Sequence, residues 1–283
     1  MAAHLEFNAD LGEGLGVWAA PMQVWRADLE RGGPLDPVDG TPASSLSAVL
    51  KSISAVSLAC GFHAGDPYLI KRYIAAAKQA GCTIGAHPSY PDLAGFGLRY
   101  MELAPAEIEA IVQYQVAALD GLLRVEGIEL HHVKCHGALY NRAAKDPIVA
   151  SAVAAAVAAF RRDLPLYGLP GSCLEEAAIH LGIPFLREAF ADRAYHQDGS
   201  LVDRRRSDAM ILDADAVAQR VLRMAQSGTI VTIEGAELSL DPQTICFHSD
   251  TPNVFDFLEK SRRALESAGV RLIGREIEDP SQS

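Results

Sequence analysis

Polar groups suited to chemistry recur at the ends of short apolar runs. Asn8 and Asp10 lie in LEFNADLGEG with Glu13 just after them, His63 in VSLACGFHAGD and His87 in CTIGAHPSY. Lys134 and His136 lie in LHHVKCHG, Arg193 and Arg204 in EAFADRAYHQDGSLVDRRR, and His248 and Asp250 in QTICFHSD. Apolar runs that stop abruptly at glycine, histidine or aspartate suit parallel strands covered on both faces, with reactive groups just past their C-terminal ends. Period-two alternation puts Asn8 with Asp10, Lys134 with His136, and His248 with Asp250 on shared faces. One histidine at a strand end is usually structural. Four of them, with two aspartates and a lysine, are hard to explain as packing and are expected to converge.

Two chemistries fit that set. In one, Asp10, His63 and either His87 or His136 hold a divalent metal that polarises an amide and acidifies water. In the other no metal is held: Asp10 or Asp250 works as general base through a histidine, and Lys134 with a second histidine stabilises the oxyanion. With no HExxH motif in the chain, the balance tilts to the second. The expected catalytic residues are Asp10, His63, Lys134, His136 and Asp250. Asn8, Glu13, His87, Arg193, Arg204 and His248 are expected to bind substrate, and a metal, if held, is assigned to Asp10, His63 and His87. Arg193 and Arg204 suit a carboxylate or phosphate; Arg205 and Arg206 read as a solvated charge run. Cys60 and Cys135 lie near the same strand ends, but free cysteine is commonly just buried, and alternation turns Cys135 away from His136.

The elements that would position these groups alternate along the chain. After a strand at Leu5–Asp10, residues 17–45 hold both tryptophans and a DPVDGTPASS run and read as a long surface insertion. A strand ending at Cys60 precedes a helix at Tyr68–Ala80; CTIGAH precedes a helix from Pro105 to about Arg124; LHHVKCHG precedes one from about Pro147. PLYGLPG, a helix near Leu174–Leu181, IPFLREAFADR, a helix at Ala214–Gln226, TIVTIEG, QTICFHSD and a helix from about Asn253 complete the series. Seven or eight such strands predict one α/β domain over 1–283, a closed or nearly closed (β/α) barrel, TIM-like or distorted; a doubly wound open sheet is the runner-up.

The bulk composition narrows the partners. The 283 residues carry a formal net charge of -11, so nucleic acid and anionic membranes would be repelled at long range. The five cysteines are dispersed with no CxxC pair, and the start lacks the pattern of a secretory signal, so a cytoplasmic home is expected. The longest apolar stretch, Ile148–Phe160, falls short of the roughly 20 residues that span a bilayer.

The motifs FNADLGEGLG, ACGFHAGDP, IGAHPSYPDLAGFG, HHVKCHGALYN, EAFADRAYHQDGSLVDR and ICFHSDTPN together resemble the LamB/YcsF family, to which the A subunit of 5-oxoprolinase belongs. The resemblance runs from Phe7 to Asn253. It implies a barrel related to the glycoside hydrolase/deacetylase superfamily and, with partner subunits B and C, ATP-dependent opening of 5-oxoproline to glutamate. It also implies acid and metal-ligand positions at Asp10, His63 and His87. GEGLG lacks the Gly-Lys-Ser/Thr ending of a P-loop, so partners are expected to share in handling the ATP co-substrate. The chain departs from the family pattern at Cys135, Ser249, Leu98 and Asp203. A substrate-delivering partner without catalysis and a metal-dependent carbohydrate deacetylase are the competing readings.

Overall fold

The computed structural model describes residues 5–13, 46–248, 251 and 254–273. Seven strands that are apolar on one face or both wrap into a closed barrel. They are β1 (Glu6–Leu11), β2 (Ala55–Ala59), β3 (Thr83–His87), β4 (Val133–Lys134), β5 (Leu166–Gly168), β6 (Phe185–Phe190) and, after β7 (Thr229–Val231) and β8 (Glu237–Ser239), β9 (Thr244–Phe247). Every barrel pair is parallel, and β9 lies between β6 and β1, with Phe190 opposite Cys246 and Glu6 opposite Thr244. The closed barrel is one of the two forms anticipated; the open sheet is excluded.

Helices occupy the connections: α1 (Leu46–Ser52), α2 (Pro67–Gln79), α3 (Pro105–Val125), α4 (Gly137–Lys145), α5 (Pro147–Phe160), α6 (Cys173–Leu181), α7 (Ala214–Ser227) and α8 (Val254–Ser267). Their starts are written locally. Asp66 caps α2 by accepting from the Tyr68 and Leu69 amides, with Pro67 in the first turn, and Asp146 and Pro147 repeat the device at α5. Sequence pattern does not reveal the seven-residue α1, nor α4, which begins directly after the LHHVKCH strand end and is separated from α5 only by Asp146. TIVTIEG does not join the barrel: β7 pairs antiparallel with β8 in a separate hairpin. Both hairpin strands are half-exposed three-residue pieces, without the two buried faces a barrel strand needs.

The two faces of the barrel differ in chemistry. Outward residues such as Phe7, Leu11, Val56, Ile84, Val133 and Phe247 are buried in one apolar core with the helices. The inward face is polar: Glu6, Asn8, Asp10, Ser57, His132, Lys134, Glu188 and Thr244 are all buried. Gly85 makes room for one of them, since a Cβ there would stand 2.3 Å from the His132 ring.

The predicted insertion at 17–45, Asp250 and the tail EDPSQS lie outside the described residues. Among the described residues no single helix is long and apolar enough to cross a membrane.

Candidate active site at the barrel mouth

Alternation along β1 sends Glu6, Asn8 and Asp10 up the barrel interior in that order, and partners arrive at each level. At the bottom, Glu6 accepts from Tyr167 (2.9 Å) and Thr244 (2.8 Å), while His132 stacks on Tyr167 at 4.0 Å and meets Ser57 Oγ at 3.1 Å. One level higher, the Lys134 ammonium lies 3.0 Å from Asp10 Oδ1, 2.7 Å from Glu188 Oε1 and 3.2 Å from Cys246 Sγ. Glu188 also accepts from Asn8 (3.1 Å) and Tyr140 (2.9 Å). Burial opposes every charge here. Even so, Asp10 is held down at about 2, because His87 and the Lys134 ammonium outweigh its burial. Lys134 stays well above its ordinary value because Asp10, Cys246 and Glu188 overcome the same penalty, whereas burial pushes Glu188 up.

At the mouth, His87 from the end of β3, His63 from the β2–α2 loop, His136 from the end of β4 and Glu13 from just beyond β1 form one group. A ligand atom from each lies within 4.8 Å of all the others. Glu13 Oε1 is 3.1 Å from His136 Nδ1, 3.4 Å from His63 Nε2 and 3.8 Å from His87 Nε2. The His63 and His136 rings stack at 3.8 Å. Burial pushes His63 down to about 3 and His87 down to about 4, so both are neutral at neutral pH. These residues could hold a metal ion. Histidines that stand far apart in the sequence are brought together in space by separate strands, and Glu13 stands among the donors where Asp10 was expected. Asp10 lies 3.5 Å from His87 but has the Lys134 ammonium as its nearer partner.

A third group lines the opposite wall. His248 Nδ1 meets Asp192 Oδ1 at 2.7 Å, Thr251 donates to the other oxygen of Asp192 at 2.9 Å, and the His248 ring stacks on Phe190. The His248 and Thr251 contacts hold Asp192 below its ordinary range in spite of its burial. All three groups border a cavity of about 740 Å³. Arg193 and Arg204 are on its rim, with Arg205 and Arg99 beside them; Arg205 pairs with Asp203 and Arg99 with Asp92. Cys60 and Cys135 are buried, and burial lifts each thiol to about 12, which removes them as thiolate nucleophiles.

Thus Asn8, Asp10, Glu13, His63, His87, Lys134 and His136 meet as one constellation, and His248, Arg193 and Arg204 face the same cavity. Sequence reasoning missed Glu188, Tyr140, Asp192 and Ser89. Period two along FLREAF would have turned Glu188 inward opposite Lys134, and Asp192 stands at a strand end like the residues that were found. The Phe96 carbonyl, which accepts from His136 Nε2 at 2.8 Å, has no sequence signal; the left-handed backbone at Phe96 (φ 56°) aims it.

Comparison with known proteins agrees with this architecture. The description LamB/YcsF family fits residues 43–278. The A subunit of 5-oxoprolinase from Chloroflexus aggregans is 48% identical over 222 residues, 78% of this chain and 88% of that protein. Its counterpart from Bordetella pertussis is 41% identical over 268 residues, 95% of this chain and 97% of that one. The crystal structure of a lactam utilization protein from Thermus thermophilus superposes with a TM-score of 0.80 at 38% identity, covering 96% of this chain and 100% of that one. Motifs, barrel and relatives agree that the chain belongs to the LamB/YcsF family.

Proposed function

We propose that this protein is the lactam-opening component of an ATP-dependent 5-oxoprolinase, converting 5-oxoproline to glutamate together with partner subunits B and C. The observation that carries the reading is the buried Asp10–Lys134 pair at the floor of the cavity, in a chain 41% identical over 95% of its length to the A subunit of a 5-oxoprolinase.

A five-membered lactam is an unactivated amide. Opening it requires a hydroxyl on the carbonyl carbon, negative charge carried on the carbonyl oxygen, and a proton on the departing nitrogen. Asp10, kept ionised, takes the proton from the attacking water. Lys134 offsets the charge that develops on oxygen. His248 gives its Nδ1 hydrogen to Asp192, so its bare Nε2 takes over the proton that Asp10 drew from water and passes it to the nitrogen as the C–N bond breaks, which returns Asp10 and His248 to their starting states. The products are the free amine and carboxylate of glutamate. Arg193 and Arg204 hold the substrate carboxylate, Asn8 fixes the floor through Glu188 and Thr244, and His87, His136 and Glu13 make the remaining wall, with His63 behind them.

ATP hydrolysis drives the opening, with the nucleotide handled together with the partners. The cavity exceeds what a small lactam fills, which suits a site completed by a partner chain. The whole chain acts as a single cytoplasmic barrel domain with 17–45 as its insertion.

The test is glutamate release from 5-oxoproline and ATP by this chain alone, by B and C alone, and by the three together. Release only from the full mixture supports the reading. No release from any mixture, with the chain folded by circular dichroism, overturns it.

A further inference from the structure

We propose that Glu13, His63, His87 and His136 bind one divalent transition-metal ion, of the zinc class, through Glu13 Oε1, His63 Nε2, His87 Nε2 and His136 Nδ1, and that Asp10 is not a ligand. The hydrogen bonds on the far side of each ring carry the argument. His87 Nδ1 lies 2.7 Å from the Lys134 carbonyl oxygen, and His136 Nε2 lies 2.8 Å from the Phe96 carbonyl oxygen. A carbonyl oxygen can only accept, so each of those nitrogens carries the hydrogen. His63 Nδ1 lies 2.8 Å from Ser89 Oγ, whose own hydrogen goes to the Tyr90 carbonyl at 3.0 Å, so His63 Nδ1 is also a donor. A neutral imidazole has one N–H. The three remaining nitrogens are therefore bare lone pairs, and they lie within 4.8 Å of one another and of a carboxylate oxygen; the His63 and His136 rings stack face to face, so one of them turns when an ion enters.

Left so, the group repels itself. His87 Nε2 and His136 Nδ1 face each other at 3.1 Å, and both face Glu13. His63 Nε2 and Glu13 Oε1 are buried with no hydrogen-bond partner among the described residues. Buried polar atoms in that condition are costly, and a cation at their centre removes the cost. The spacing fits. Ligands about 2 Å from a tetrahedral ion stand about 3.3 Å from one another, and the separations here of 3.1, 3.1, 3.4 and 3.8 Å bracket that edge. Imidazole-rich sets select the zinc class, while magnesium and calcium require a majority of oxygen donors. Backbone carbonyls and a serine that fix ligand tautomers are the usual outer support of such a site. Asp10 has its own cation in Lys134, at 3.0 Å. His63 is sealed behind the others, whereas Glu13, His87 and His136 border the cavity, so an ion here would face the space assigned to substrate.

The test is metal content, which needs no turnover and so fails or succeeds apart from the lactam reading. The full chain is stripped with a chelator and titrated with zinc chloride, and bound zinc is measured by calorimetry and by elemental analysis after gel filtration. The expected result is about one ion per chain, with none retained from magnesium chloride. Glu13→Gln and His63→Asn should weaken zinc binding by at least about a hundredfold, and Asp10→Asn should leave it within about threefold. X-ray absorption at the zinc edge, showing imidazole neighbours on the wild-type protein, keeps the test open if a variant fails to fold. Overturning results are no stoichiometric zinc, which would mean a proton shared between His87 and His136, or retention by both ligand variants, or loss on Asp10→Asn with Glu13→Gln unaffected.

Discussion

The barrel interior and the cavity rim both carry dense charge, and they hold it in opposite ways. Inside, Lys134 is 1% exposed with Asp10 and Glu188 pressed against it, and the oxygen and nitrogen atoms nearby come from β1, β4, β6 and β9. On the rim Arg205 pairs with Asp203, and farther out on the surface Arg206 pairs with Asp208 and Arg223 with Glu237; all are local pairs in water, most between residues two positions apart. An exposed pair gains little from its partner because solvent screens it. A buried pair depends on its partner wholly, since losing one member strands the other charge out of water. The interior charges are therefore coupled to the fold, and the rim charges are free to vary with the substrate.

Removing one interior charge sharpens that contrast most. Lys134→Met should cost about 3–5 kcal/mol, because Asp10 and Glu188 are then left buried without a cation, and urea unfolding reads it directly. Little loss would mean that water reaches this level of the barrel. Next, Asp10→Asn should keep the fold but lower glutamate release from the assembled enzyme by at least about a hundredfold, as expected for loss of a general base; activity near wild type would remove Asp10 from the chemistry. Gly85→Ala comes third, at about 1–3 kcal/mol in the same unfolding assay, because the new methyl group meets the His132 ring at 2.3 Å.

Smaller effects test the outer region. Cys173 is the one half-buried cysteine and the others are buried, so a maleimide should label the native chain at Cys173 and the remaining thiols only after unfolding. Rapid native labelling of Cys246 would show that the Lys134 level opens to solvent. Smallest of all, Arg206→Ala should leave the thermal midpoint unchanged within error, since its pair with Asp208 lies in water; a clear drop would bring that surface segment into the stable body of the protein.

Much of the site is legible in the chain because parallel strands display their chemistry at one end. VSLACGFHAGD and CTIGAHPSY each announce a buried strand and the histidine after it, and the barrel needs only to close for His63 and His87 to meet. Period two likewise ranks Glu6, Asn8 and Asp10 by depth. TIVTIEG misled for a matching reason: a short β-branched run looks the same whether it enters the barrel or makes a half-exposed hairpin, and only its pairing with Glu237–Ser239 decides. Glu188 was missed although alternation could have found it, because a charge within an apolar strand draws notice only once Lys134 is known to sit across from it.

The sequence by itself determined the alternation of strands and helices, the caps at Asp66 and Asp146, and which residues point inward, because each depends on neighbours within a few positions. The tertiary structure decided who meets whom. It gave Lys134 to Asp10 and Glu188, brought Glu13 rather than Asp10 into the histidine group, and used the Phe96 and Lys134 carbonyls to set which nitrogen of His136 and His87 carries its hydrogen. Those pairings depend on barrel closure and on backbone atoms, and neither leaves a mark in the order of side chains.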